Sequence, residues 1–424
     1  MEKTRVNLPL GTIKNAARLK KIVGVFAKNG FENLAERAKL GKFIFEKVTS
    51  STVRKLSAPE RLRISFEELG PTFVKLGQIL ATRPDLIPHL FCEEFKKLHS
   101  QVSEVPFSDI KPVLQGHFGE DLTKVFTFFN EKPIGAASIA QVYEAKLIDG
   151  SPVVVKVQKP DIEDVIYEDL GVIYFLAEVL ETYIPESRLF NPVGVANEFF
   201  KTLELELNFI VEANNIKRFQ NNFKNFEKVV IPEVYLQYSG KKVLVQEQLQ
   251  GKLLSDPHAI SKDVDGEELI KTGLRCYFKM VFKDGMFHGD MHPGNMFILP
   301  NNKLGLIDFG VVGRLNDKTK SAIANMLIAL ATEDYDSLAY EYVDLAPYSE
   351  FVDVDKLSRQ LRNLIAPYHG LKLDEVNSGR LLLESTAIAA ENKVILPSEL
   401  VVFFKSIIAV EGMGRIIKKD FDVL

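Results

Sequence analysis

Two short segments constrain this chain more than any other feature: His288-Gly-Asp-Met-His-Pro-Gly-Asn295 and, after apolar runs, Ile307-Asp308-Phe309-Gly310. They place two carboxylates and an amide at the spacing that transfer of a nucleotide phosphoryl group demands. One Asp accepts or orients the proton of an attacking hydroxyl, an Asn five positions later holds Mg2+, and a second Asp binds the Mg2+ that bridges the phosphates. Asp290, Asn295 and Asp308 fit these roles in that order. A hard cation asks for oxygen ligands, so Asp and Asn suit the task where Cys would not. An Asp before Phe-Gly is, on its own, more often a turn or cap residue. The order and the flanking runs Met286-Phe287, Met296-Phe-Ile-Leu299 and Leu304-Gly-Leu-Ile307 predict a catalytic loop, strand, turn, strand and metal loop.

Such a site needs a nucleotide loop between two strands, a lysine on the next strand and a glutamate on a helix. Phe126-Thr-Phe-Phe129 and Gln141-Val-Tyr-Glu-Ala-Lys-Leu147 read as strands, and Asp149-Gly150 as a hairpin turn before Val153-Val-Val-Lys156-Val157. A lysine inside a β-branched run is costly unless paired, although an edge lysine can keep its ammonium in water. The best partner is Glu212, in a segment with helical periodicity at Leu205, Phe209 and Glu212. Lys156 would hold the α- and β-phosphates, braced by Glu212. Leu244-Val-Gln-Glu-Gln-Leu249 is expected as a hinge strand whose backbone near Glu247 and Leu249 meets adenine. Together these elements predict an α+β, bilobal, protein-kinase-like fold with an added N-terminal helical extension.

The nucleotide loop departs from the ordinary pattern. Gly135-Ala136-Ala137-Ser138-Ile139-Ala140-Gln-Val142 is in register with a glycine-rich phosphate loop, but alanines replace the second and third glycines. Each methyl limits positive φ and holds the backbone away from a phosphate. Here the chain resembles the UbiB/AarF family of atypical kinase-like proteins, over roughly residues 59 to 414. The resemblance rests on four features: Lys75-Leu-Gly-Gln78 followed by Arg83-Pro-Asp-Leu-Ile-Pro88, the alanine loop, the Glu206 to Glu212 segment, and the Asp290/Asn295/Asp308 set. It implies ATP or ADP and Mg2+ as cofactors and a role in isoprenoid quinone (ubiquinone) biosynthesis. It also implies that the Lys-x-Gly-Gln helix covers the active site, with Lys75, Gln78 and Glu206 as regulatory residues. Gly70-Pro71 fits the start of that helix, and Lys75 and Gln78 at i, i+3 share a face. Where the family has Glu-x-Asp this chain has Glu206-Leu-Asn208, losing a charge. Aminoglycoside and choline phosphotransferases also use a His-Gly-Asp-x-x-x-x-Asn loop, but they lack the Lys-x-Gly-Gln helix.

At 424 residues, 46% hydrophobic and 26% charged, the chain can bury a large core. Two distant cysteines, Cys92 and Cys276, argue against a disulfide framework or zinc site and suit a reducing compartment. Residues 1–50 carry eleven Lys or Arg against four Asp or Glu, a net +7 in a chain of net −4. Within them Leu19, Ile22, Val23 and Phe26 recur at helical spacing, with Lys14, Arg18, Lys20, Lys21 and Lys28 around them. Such a helix either lies on an anionic membrane surface or docks on its own lobe. No stretch of about 18 uncharged apolar residues occurs to span a bilayer. Leu400 to Val410 is interrupted by Lys405 and reads as a core helix, and Asn214 to Asn225 as a loop or connector.

The expected organisation is a helical extension over 1–123, a small lobe over 124–251 and a large lobe over 252–424. Two functions follow: an atypical kinase or ATPase with an unknown acceptor, or a nucleotide-gated, lipid-binding scaffold for quinone-biosynthesis enzymes. The expected partners are a nucleotide, a lipid or quinone precursor, a peripheral membrane surface and other quinone-biosynthesis proteins, with no nucleic acid. The resemblance implies a cytoplasmic protein on the inner face of the membrane. Because bacterial relatives carry a transmembrane hairpin beyond the position of Leu424, it also implies a tail-less or truncated member.

Overall fold

The computed structural model describes residues 13–31, 55–98 apart from 82, 84 and 85, 104–183, 188, 191–260, 264–346, 352–368, 378–394 and 396–417. Lys14 of the basic helix, and Pro84 and Asp85 of the segment after the Lys-x-Gly-Gln motif, fall outside the described side chains. Internal packing divides the chain into two compact units: residues 1–113, 135–141 and 158–207 in one, 114–134, 142–157 and 208–424 in the other.

The first unit is mainly helical: α1 (Ile13–Phe26), α2 (Ala58–Leu69), α3 (Pro71–Leu80), α4 (His89–Phe95), α5 (Phe107–Phe118, shared with the second unit), α6 (Ile162–Tyr183) and α7 (Pro192–Glu206). Ser57 and Glu60 form a reciprocal capping box at the start of α2, which satisfies amides that a helix start otherwise leaves unpaired. Gly70, at φ +103°, takes the turn that Pro71 then converts into α3. Ile22, Phe66, Phe73, Phe95, Phe199 and Leu203 are nearly or fully buried in one core with Leu170 and Ile173 of α6.

The apolar stripe of α1 faces this core rather than solvent. Ile22 is 0% exposed, and Val23 packs with Val179, Phe175 and Leu176 of α6. Arg18 follows it inward, pairing with the fully buried Asp169 and donating to the Leu69 carbonyl at 2.9 Å. Lys28 pairs with Glu68 at 2.8 Å. Of the two sequence readings of this helix, docking on the chain's own helices accounts for its apolar face.

Glycine in the Lys75-Leu-Gly77-Gln78 motif has a steric cause. A Cβ at Gly77 would stand 2.2 Å from Leu98 Cδ1 and 2.8 Å from Phe66 Cδ2. α3 approaches α2 and the 95–98 turn so closely that only hydrogen fits.

In the second unit the sheet order is β1-β3-β4-β6, from β1 (Phe126–Phe129), β3 (Ala140–Leu147), β4 (Pro152–Gln158) and β6 (Val243–Glu247); the short β2 (Gly135–Ala136) and the first two residues of β3 belong to the first unit. Gly150, at φ +85°, makes the turn between β3 and β4. α8 (Phe209–Phe223) follows, capped by Asn208, whose carbonyl oxygen accepts the Ile210 amide at 3.1 Å. The asparagine-rich stretch expected as a connector is thus helical as far as Phe223. Asn215 is buried rather than solvated, because its amide has specific partners described below. A second sheet runs β5 (Val229–Val230), β10 (Lys303–Leu306), β9 (Met296–Leu299), β7 (Lys252–Leu253), and β8 (Met286–His288) pairs with β11 (Val312–Arg314). Helices α9 (Gly266–Phe278), α10 (Asp317–Ala331), α11 (Tyr335–Leu345), α12 (Val354–Ile365), α13 (Ser378–Glu391) and α14 (Ser398–Ile417) complete it. Among the described residues no helix is long and apolar enough to cross a membrane.

Two substitutions check this packing. Ile22→Ala is expected to cost about 2–5 kcal/mol and to lower the melting temperature of the lipid-free protein; a helix held only by a membrane would leave that melt unmoved. Gly77→Ala gains about 1 kcal/mol of helix propensity but overpacks the α2/α3 contact at about 1–3 kcal/mol. Its denaturant midpoint should therefore fall, and a rise would mean that Phe66 and Leu98 give way freely.

Candidate active site

β4 delivers Lys156 and α8 delivers Glu212. The lysine Nζ lies 2.9 and 3.1 Å from the two oxygens of the Glu212 carboxylate, which is nearly buried. The same ammonium is 3.5 Å from Asp308 Oδ1 and 5.3 Å from the Phe209 ring centre. A lysine with only 18% of its side chain exposed would be costly alone; two carboxylates and an aromatic face compensate it.

α8 also fixes the Asp-Phe-Gly segment. The Asn215 amide donates to the Phe309 carbonyl at 2.9 Å and accepts from Arg314 at 3.1 Å. The Phe309 ring is fully buried, 4.7 Å from Phe219 and 5.1 Å from the His288 ring. With the phenyl group anchored inward, Asp308 turns the other way. It holds φ +61°, uncommon for a residue with a side chain, and 47% of its carboxylate side chain is exposed. Its Oδ1 accepts the Gly310 amide at 3.3 Å.

The catalytic-loop segment hangs on His288. Its imidazole is 0% exposed; Nε2 donates to the Ile307 carbonyl at 2.9 Å and Nδ1 accepts the Asp290 amide at 3.1 Å. Burial pushes its pKa down, in keeping with a neutral ring that bridges the two segments. The Asn295 side-chain amide donates to the Asp290 carbonyl at 3.1 Å, which closes the loop and leaves the side-chain oxygen Oδ1 of Asn295 for a ligand. His292 caps the turn before Asn295 by accepting the Gly294 amide, and its Nε2 is 3.7 Å from Asp290 Oδ2.

Lys405 completes this arrangement, and sequence reasoning had assigned it only to a core helix. Its Nζ, projecting from α14, lies 3.1 Å from Asp290 Oδ1. Burial alone would raise the Asp290 carboxyl, but the Lys405 ammonium, followed by His292, outweighs it and holds the pKa below the ordinary range. α14 touches the loop elsewhere too: Ser406 Oγ donates to the His288 carbonyl at 3.3 Å, and a Cβ at Gly289 would meet Val311 and Val402 at 2.8 and 3.0 Å. The only sequence signal was a charge breaking an apolar helix.

In the hinge stretch the Glu247 amide donates to Glu233 and the Gln248 amide to Pro152, at 2.7 and 3.1 Å. The Leu249 amide makes no backbone hydrogen bond among the described residues. In the first unit the alanine loop is a tight turn, with the Ala137 amide on the Ala140 carbonyl at 2.7 Å and no positive φ from Gly135 to Val142. Lys75 pairs with Glu206 at 2.8 Å. Gln78 donates to the Leu98 carbonyl at 3.2 Å.

The donors at Asn295 and Asp308 are hard oxygens, fit for Mg2+. Among the described residues no three His, Cys, Asp or Glu side chains cluster as a metal cage. A cation held here would complete its shell with phosphate and water, as Mg2+ does at nucleotide sites.

Residues 97–342 match the ABC1 atypical kinase-like domain and residues 361–422 the UbiB helical domain, which contains α14. A probable protein kinase UbiB of Marinobacter nauticus is 36% identical over 87% of this chain and 68% of its own length. An uncharacterised protein encoded in the 5′ region of hydrogenase 1 of Clostridium pasteurianum is 34% identical over 96% of this chain and 74% of its own. Among solved structures, Rv3197 of Mycobacterium tuberculosis in complex with erythromycin superposes with a TM-score of 0.56 at 25% identity, over 82% of this chain and 89% of that one. With residues 97–342 and 361–422 matching these two domains and a UbiB relative 36% identical, the chain belongs to the UbiB family of ABC1 atypical kinase-like proteins.

Proposed function

We propose that this protein is a Mg2+-dependent atypical kinase or ATPase that serves isoprenoid quinone biosynthesis. What carries the reading is Lys156, held between Glu212 and Asp308 by contacts of 2.9 and 3.5 Å. A purely structural lysine has no need of a second, half-exposed carboxylate in a left-handed turn.

Lys156, positioned by Glu212, would bind the α- and β-phosphates. Asp308 and the Asn295 side-chain oxygen would hold Mg2+, which supplies charge neutralisation on the phosphates when bound. Asp290 would accept the proton of the attacking hydroxyl or water, and the Leu249 amide, next to Glu247, would meet the adenine. The Gly135 to Val142 loop, with alanines where a glycine-rich loop has glycines, would be the nucleotide loop that the family resemblance implies. Lys75, tied to Glu206, and Gln78 would regulate the site, as the family resemblance implies. The quinone assignment rests on the UbiB relatives, and a peripheral membrane surface is where a lipid precursor would be met.

The measurement is phosphate release from Mg2+-ATP, with and without anionic liposomes bearing a quinone-precursor analogue. Asp308→Asn removes one charge yet keeps a residue that tolerates positive φ. It should melt like the parent and lose turnover by roughly 10²–10³-fold. Undiminished turnover by a well-folded variant would remove Asp308 from the metal site.

A further inference from the structure

The segment 288–295 contains no Lys or Arg. The ammonium closest to its Asp290 comes instead from Lys405, 115 residues further on. Phe403, Phe404, Ser406 and Ile407 around it are buried, so the backbone there is fixed, while 42% of the Lys405 side chain remains exposed. It bonds Oδ1 of Asp290; His292 Nε2 is nearer Oδ2, at 3.7 Å. A lysine needed only for packing would hide its charge at the surface. One needed only to neutralise Asp290 would weaken that group as a proton acceptor.

Distances favour a third role. An acceptor oxygen giving its proton to Asp290 lies about 2.6–3.2 Å from the carboxylate, and the phosphorus about 3–3.5 Å from that oxygen. An ammonium on the same carboxylate is therefore within one swing of its flexible stem from the terminal phosphoryl oxygens, where negative charge is spread. Lys156 is engaged with Glu212 and Asp308, and in the proposed reading it would serve the inner phosphates.

We infer that Lys405 is a phosphate-binding residue: its ammonium moves from Asp290 to the terminal phosphate of a bound nucleoside triphosphate. The inference rests on the nucleotide-binding reading above, and one titration separates the two. Mg2+-ATP and Mg2+-ADP are titrated calorimetrically into the full chain, its Lys405→Met variant and its Lys405→Arg variant, with melting curves for each. Lys405→Met should weaken ATP about tenfold or more, the loss of one charge-assisted hydrogen bond, and leave ADP within about twofold, and Lys405→Arg should recover most of the ATP affinity. Lys405→Gln replaces the methionine variant if that fails to fold. Equal weakening of both nucleotides, or no change in either, would overturn the assignment and leave Lys405 a structural partner of Asp290. A parent chain that binds neither nucleotide would overturn the nucleotide reading itself.

Discussion

One neutral imidazole holds the candidate site in register. His288 is sealed from water and bonded at both nitrogens, to the Ile307 carbonyl just before Asp308 and to the Asp290 amide. Removing the ring would leave the part-buried Asp290 amide and Ile307 carbonyl without these bonds and would loosen the spacing of the two acidic residues. The Phe309 ring packs on the same imidazole and on Phe219, so the tie extends to α8 and through it to Glu212 and Lys156. A group that takes no part in the chemistry thus sets the spacing of those that would.

Much of this was legible in the sequence. Asp290, Asn295 and Asp308 lie within a short span whose spacing is set by a tight loop and a hairpin, so linear distance stands in for geometry. The strands holding Tyr143 and Lys156 alternate in burial over most of their length, and the turn at Asp149-Gly150 lies where a glycine permits positive φ. The lysine–glutamate pair was legible because a β-branched run cannot hold an ammonium without a partner.

What escaped was non-local or ambiguous by composition. Lys405 looks in sequence like a flaw in an apolar helix, and only the tertiary fold shows that the flaw faces a carboxylate. Asparagines 214 to 222 suggested a loop by propensity, yet helix α8 continues through them because Phe219 and Phe223 bury its face and Asn215 finds two partners. Gly77 gave no sign that its missing side chain was the point. Basic residues around Leu19 to Phe26 fitted lipid and protein equally, since an amphipathic helix satisfies either; the choice lies in Asp169, which sits on a different helix and waits for Arg18.

The contacts of α14 with the 288–295 loop carry a consequence for how the protein matures. Ser406 and His288 are 118 residues apart, and Gly289 leaves room for Val402 at the same seam. Closing so long a loop is slow compared with forming the local hairpins around it. On the ribosome, the segment bearing Asp290 would emerge and wait while more than a hundred further residues are made, at roughly 5–20 per second. For those seconds a nascent chain would display an unfinished acidic loop beside apolar residues not yet covered. The 288–295 segment would therefore reach its final arrangement late and abruptly, with the docking of a single helix.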